Sequence, residues 1–113
     1  MTRVRHERKA FLDPKGKQEN LMITIMELNE KAELIDFCVI QMHCPGNKKY
    51  IVMKYDSSHG ECHAHRYYRN LKPPQEKVKY HEISKHSFHM CVKDIRAHWR
   101  TYKDAYVTKW FDA

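Results

Sequence analysis

The stretch SKHSFHMCVKDIRAHWRTYKDAYVT, residues 84–108, decides the fold because its apolar residues adopt a helical period. Six of them recur at spacings of three and four and form one stripe: Phe88, Val92, Ile95, Trp99, Tyr102 and Tyr106. Ser84 or Ser87 can cap the first turn. The pattern predicts a helix within residues 85–108 of about 22 residues, roughly 33 Å long and able to cross a small sheet.

The chain before this stretch favours strands. Five segments combine β-branched or aromatic residues with turn signals at their ends: 21–29, 34–42, 49–56, 63–69 and a short run at 77–83. Their short connections favour an antiparallel meander, and Pro73–Pro74 predict a break before the last run. The predicted fold is therefore α+β, a meander sheet of four or five strands with one long C-terminal helix packed on a face.

Length and composition restrict the class of protein. With 113 residues, 42% apolar and 31% charged, the chain fits a single domain and differs from collagen-like, low-complexity and disordered sequences. No apolar run approaches the roughly 18 residues of a membrane span, and the N-terminus lacks the apolar region of a secretory signal. We therefore expect a cytoplasmic protein without a membrane partner. Residues 1–20 are predicted to be a basic, mobile arm or a weak edge element, and residues 21–113 the domain.

The basic residues are distributed unevenly along the chain. Lys and Arg outnumber Asp and Glu by 21 to 14, which gives a net charge of +7, and residues 45–80 hold eight cationic side chains against three carboxylates. Such a segment predicts one positive face, and nucleic acid is the commonest polyanion that such a face attracts. The alternative is that the charge only keeps a small domain soluble.

The unusual chemistry lies in YDSSHGECHAHRYY, residues 55–68, which holds three histidines within seven positions. If residues 63–69 form a strand, the side chains of His63, His65 and Tyr67 share one face. Two histidines at this spacing lie roughly 7 Å apart at their Cα atoms, which suits two rings that converge on one phosphate or one metal ion. Asp56 ends the preceding strand and can face them.

Three interpretations of this stretch remain open. The first is metal-free phosphodiester chemistry on RNA, in which one imidazole takes a proton and the other gives one. The second is a zinc site, whose ligands would be His59, His63 and His65 with Cys62 or Asp56. The third is a solvated, histidine-rich hairpin without a chemical role.

The first interpretation assigns roles to named residues. His63 and His65 are the predicted acid–base pair, and Asp56 is predicted to orient one ring. The predicted substrate-binding residues are cationic, aromatic or imidazole side chains nearby: His59, Arg66, Tyr67, Arg69 and Lys72. Because the possible metal ligands crowd into one short segment, we expect no structural metal and no other cofactor.

The motif Tyr55-Asp56, His59-Gly60 and His63-x-His65 resembles a pattern of small prokaryotic proteins, YDxxHGxxHxH. It is also similar to the core of the TumE-like toxins, the toxic halves of two-gene toxin–antitoxin pairs. The resemblance implies a compact sheet-plus-helix fold, an action on RNA as a ribonuclease-like toxin, and a protein antitoxin as partner. The alternatives are a non-catalytic module that binds nucleic acid or a protein partner, and a metal-binding protein.

Overall fold

The computed structural model describes residues 3–57, 60–68 and 71–108, and for residues 71–74 it describes the backbone alone. Within these ranges, six strands form one antiparallel sheet whose strand order follows the chain order. The elements are β1 (Val4–Phe11), β2 (Asn20–Leu28), β3 (Leu34–His43), β4 (Tyr50–Asp56), β5 (Cys62–Tyr68), β6 (Leu71–Tyr80) and α1 (Lys85–Thr108). The α+β class, the meander and the helix over residues 85–108 are confirmed. The sheet has one strand more than predicted.

The additional strand is β1, in the segment predicted as an arm or a weak edge element. It pairs with β2 from Val4 opposite Leu28 to Phe11 opposite Leu21, and all its side chains except that of Ala10 are exposed. Alternating charged residues protect an edge strand from pairing with another chain, so a real edge strand carries little hydrophobic signal. The polar composition that predicted an arm is thus typical of an edge strand.

The other edge strand, β6, begins earlier than predicted. It runs from Leu71 to Tyr80 and continues through Pro73–Pro74, where the sequence predicted a break. Proline lacks the backbone N–H that a central strand needs, but an edge strand tolerates it because one side of the strand forms no ladder. The pairing with β5 also shifts register between Arg66 and Tyr68, which is another place where proline is accepted.

The core lies between α1 and one face of the sheet. The helix contacts β3, β4 and β5, and its predicted apolar stripe faces them: Ile95 is fully buried, while Phe88, Trp99 and Tyr106 are at most 8% exposed. Val92 and Tyr102 are half-buried and pack against this core.

No helix in the described ranges is long and apolar enough to cross a membrane.

Two polar contacts fix the position of α1 on the sheet, and a third lies within the helix at Asp94. The hydroxyl groups of Tyr55 and Tyr102 each donate a hydrogen bond of 2.6 Å to Oδ2 of Asp94. The buried Nε2 of Gln41 donates to the main-chain oxygen of Trp99 at 2.8 Å. Burial, together with the bond to Asp94, raises the pKa of Tyr55 and keeps its hydroxyl protonated. Because a hydrogen bond to a charged acceptor is roughly twice as strong as a neutral one, Asp94 anchors the helix to β4.

The helix begins at a reciprocal cap. The backbone N–H of Ser87 donates to Oγ of Ser84 at 3.1 Å, and the backbone N–H of Ser84 donates to Oγ of Ser87 at 3.0 Å. The two serines therefore form a capping box in which Ser84 is the N-cap. The sequence identified both residues as possible caps, and the structure gives each a part.

We predict that Ser84→Ala lowers the free energy of unfolding by about 1 kcal/mol, because it removes the acceptor of the N-terminal N–H. Denaturant unfolding of the variant measures this loss. The matched control is Thr101→Ala, an exposed position on the same helix, which should change the free energy by less than about 0.5 kcal/mol. Equal effects of the two substitutions would show that the cap does not contribute to stability.

Candidate functional site

The sheet has a second face, opposite α1, which we call the uncovered face. Along β5, Cys62 and Ala64 point toward the helix and are buried, at 0% and 4% exposure. His63 and His65 alternate with them and therefore lie on the uncovered face. The prediction that these two imidazoles share one face is confirmed.

The two imidazoles lie side by side next to one carboxylate. Their ring centroids lie 6.4 Å apart, with 29° between the ring planes. Oε1 of Glu76 lies 2.7 Å from Nδ1 of His63, and Oε2 lies 3.9 Å from Nδ1 of His65. The histidine side chains are only 20% and 16% exposed, whereas Glu76 is 48% exposed. A carboxylate on Nδ1 fixes the orientation and the tautomer of a histidine ring, so Glu76 is a positioning group for His63, whereas its Oε2 is too far from His65 for a hydrogen bond.

Sequence reasoning missed Glu76. It placed the fifth strand after the two prolines and so left residue 76 outside the sheet. In the structure Glu76 lies directly opposite His65 across β5 and β6. The alternation of Glu76 and Val78 was a signal that could have found it, had the strand been extended toward the prolines.

Lys54 and Asp56 complete a cluster of five residues that we call the histidine cluster: His63, His65, Glu76, Lys54 and Asp56. In the register of β4 and β5, Lys54 is opposite His65 and Asp56 is opposite His63. Nζ of Lys54 lies 3.7 Å from Oδ2 of Asp56. Asp56 is thus beside the histidines as predicted, while the carboxylate that meets Nδ1 of His63 is that of Glu76.

The electrostatics of the cluster favour a neutral His65. Burial lowers the pKa of His65 most strongly; the positive charge of Lys54 and the neighbouring His63 lower it further, and the carboxylates of Glu76 and Asp56 oppose this shift. A histidine with a lowered pKa is unprotonated at neutral pH and can accept a proton. The arrangement therefore places a proton acceptor beside a second imidazole and a lysine.

Two of the predicted substrate-binding residues lie elsewhere. Arg66 is on the α1 side of the sheet, where its guanidinium group lies 4.4 Å from the ring centroid of Tyr102. Tyr67 is half-buried and packs against the core. The strand alternation separates Arg66 from the histidines, and its predicted contact with substrate stays a prediction. Lys54 is a cation that shares their face.

The remaining predicted residues are outside the described part of the chain. His59 and Arg69 fall in the two gaps at 58–59 and 69–70, and the side chain of Lys72 belongs to the segment of which only the backbone is described. Their predicted contacts with substrate stay predictions.

The structure separates Cys62 from the predicted zinc ligands. Sγ of Cys62 lies 3.7 Å from Sγ of Cys91 beneath α1, on the opposite side of the sheet from His63 and His65. The hydrogen bond between the thiols lowers the pKa of Cys62 and raises that of Cys91. Among residues 3–57, 60–68 and 71–108, no group of three His, Cys, Asp or Glu side chains is arranged to hold a metal ion.

We predict that Glu76→Gln lowers the pKa of His65 further. In the unsubstituted protein the carboxylate of Glu76 raises this pKa and so opposes the effect of burial. NMR titration of the histidine ring protons measures this midpoint. The folded state holds the pKa of His65 below the unfolded value of about 6.5, so folding stability is greatest above that value and falls as the pH drops toward the folded pKa. Because the folded-state pKa of His65 is lower still in Glu76→Gln, the loss of folding stability on acidification should extend to lower pH in this variant.

The matched control is Glu61→Gln. It removes another carboxylate that is paired with a histidine, since Oε2 of Glu61 lies 2.6 Å from Nδ1 of His81. It should leave the titration of His65 unchanged. A midpoint of His65 that stays constant in Glu76→Gln, or moves equally in both variants, would contradict the role given to Glu76.

Comparison with known proteins identifies the family without an activity. No curated protein and no solved structure matches the chain. A family model described as a domain of unknown function, DUF7718, matches residues 6–112. This range begins at the third residue of β1 and contains the other five strands, the whole of α1 and the histidine cluster. The chain therefore belongs to the DUF7718 family.

Proposed function

We propose that the protein acts on RNA as a metal-independent, ribonuclease-like protein whose acid–base pair is His63 and His65. One observation carries the proposal: two imidazoles on the uncovered face, 6.4 Å apart, lie beside the carboxylate of Glu76, at 2.7 Å from Nδ1 of His63 and 3.9 Å from Nδ1 of His65. RNA fits this pair because its 2′-hydroxyl group supplies an internal nucleophile. The reaction then needs one proton acceptor and one proton donor, and no metal ion.

The proposed reaction is an internal transesterification. His65, which is neutral at pH 7, removes the proton of the 2′-hydroxyl, and the 2′-oxygen forms a bond to phosphorus. The bond from phosphorus to the 5′-oxygen breaks, and the protonated ring of His63 gives its proton to that leaving oxygen. The products are a 2′,3′-cyclic phosphate and a 5′-hydroxyl, and the two histidines have exchanged protonation states.

Glu76 and Lys54 assist these steps. In the protonated ring of His63, the Nδ1–H donates to Glu76, so the proton on Nε2 is the one that can be given to the leaving oxygen. Lys54, opposite His65 across the strands, supplies positive charge for the phosphate oxygens as negative charge develops on them. Lys54 thus takes the part that sequence reasoning gave to Arg66, and Asp56 holds its ammonium group in place.

The similarity of the motif to the TumE-like toxins supports the same class of reaction. It extends the proposal to a toxin that a protein antitoxin holds in check. The excess of cationic residues in 45–80 supports an RNA substrate, and His59, Arg69 and Lys72 stay the proposed contacts to its backbone. A non-catalytic module that binds RNA through the same face is the alternative that the following experiment separates.

We predict that the protein cleaves structured RNA in the presence of EDTA, and that His63→Ala or His65→Ala lowers the rate at least about 100-fold, as expected for loss of a general acid or base. The cleaved ends should carry 2′,3′-cyclic phosphates. The matched control is His81→Ala, because His81 is 85% exposed and is also paired with a carboxylate at 2.6 Å. It should retain full activity.

Binding of RNA without cleavage would contradict the catalytic proposal and assign the face to a binding module. Cleavage that EDTA abolishes would contradict the metal-free mechanism. Equal losses in His65→Ala and His81→Ala would show that the imidazole pair has no special part.

The proposed backbone contacts predict a dependence on salt. Arg69→Glu and Lys72→Glu should weaken RNA binding and flatten its salt dependence, because each cation that neutralises a phosphate releases counterions. Lys31→Glu, in an exposed turn of the acidic segment, should do neither. Filter binding at several salt concentrations measures both quantities. Equal effects of the three substitutions would mean that the positive charge acts only through the net charge of the chain.

A further inference from the structure

A cavity of about 490 Å³ lies at β5 and β6, away from the predicted acid–base pair. It is lined by Ala64, Arg66, Tyr68, Gln75, Glu76 and Lys77. Ala64 is buried beneath the helix and Arg66 contacts Tyr102 of α1, so this cavity belongs to the helix side of the sheet. The histidines occupy the other side.

Arg66 is held in this cavity by aromatic rings. Its guanidinium carbon lies 4.4 Å from the centroid of the Tyr102 ring and 5.9 Å from that of Tyr68. A guanidinium group that stacks on an aromatic ring keeps its N–H groups in the plane, where they can bind an oxyanion with two parallel hydrogen bonds. The contacts orient Arg66 without using its donors.

No carboxylate in the described ranges forms an ion pair with Arg66. Asp94, an acidic residue of α1, accepts hydrogen bonds from Tyr55 and Tyr102 and contacts His98 at 3.1 Å. The carboxylate of Glu76 is directed toward the imidazoles of the other face. Both carboxylates are therefore engaged elsewhere.

Two further groups in the cavity wall are donors. Lys77, opposite Ala64 on β6, and Gln75, opposite Arg66, are exposed side chains. A guanidinium fork, an ammonium group and an amide around one cavity supply more donors than a single carboxylate can accept, and they suit a phosphate with its several oxygens. The ring of Tyr68 adds a surface on which a base can stack.

We infer that this cavity binds the phosphate group of a nucleotide or of RNA, with Arg66 as its principal ligand. Lys77 and Gln75 assist, and Tyr68 stacks on the attached base. This site lies on the opposite face from the proposed acid–base pair and uses neither histidine, although Glu76, which contacts His63, also lines the cavity. It assigns a function to Arg66, which the alternation of β5 excludes from the histidine cluster.

The test is calorimetric titration of the full chain with inorganic phosphate, with adenosine monophosphate and with a short single-stranded RNA whose 2′-hydroxyl groups are replaced by hydrogen to prevent cleavage. We expect Arg66→Gln to weaken binding of all three at least tenfold and Arg66→Lys to weaken it less, because lysine keeps the charge but not the fork. The matched control is Arg100→Gln. Arg100 is exposed and stacks on Trp99 at 4.5 Å, nearly the geometry of Arg66, but lies outside the cavity. Its removal should leave binding unchanged.

The three ligands separate the possible sources of the phosphate. Tighter binding of the nucleotide than of phosphate, lost in Tyr68→Leu, would support base stacking beside Arg66. Equal affinities would support a site for the phosphate group alone. His63→Ala should keep this binding while losing cleavage, so that the two proposals fail separately. Absence of binding by the wild-type chain, or equal losses in Arg66→Gln and Arg100→Gln with both variants folded by circular dichroism, would overturn the inference.

Discussion

The docking of one helix on one face of a meander sheet is the constraint on which the other features depend. Asp94 holds α1 on β4 by accepting a hydrogen bond from Tyr55 of the sheet, and Tyr102 of the same helix donates to the same carboxylate oxygen. Once this face is covered, the period of two along β5 sorts its residues. Cys62 and Ala64 enter the core, while His63 and His65 reach the uncovered face. The chemistry of the histidine pair is therefore a consequence of where the helix lies.

The sequence was sufficient for the elements that bury an apolar face. The helix over 85–108 has a stripe of six residues that only one orientation can bury, and the four central strands lie within a residue or two of their predicted limits. The edge strands were less predictable because their stability comes from backbone pairing with a neighbour. β1 is nearly all exposed and β6 contains two prolines, so neither shows the usual pattern of a strand.

The same limitation determined how much of the site could be foreseen. His63, His65 and Asp56 could be brought together by alternation and a short loop, which are local properties. Glu76 depends on the register of β6 against β5, and that register shifts at two places. Arg66 shows the converse: proximity in sequence suggested a shared site, but odd and even residues of a strand point to opposite faces. The structure thus places the residues of one predicted cluster on the two sides of β5 and β6.

The most direct test of this account is a crystal structure of the protein with a short RNA in which the 2′-hydroxyl at the scissile nucleotide is replaced by hydrogen, so that the strand cannot be cleaved. The account predicts that one phosphate lies on the uncovered face, with its oxygens within hydrogen-bond distance of the imidazoles of both His63 and His65 and beside Lys54. An RNA strand bound away from this face, or a metal ion held between the two imidazoles, would contradict it.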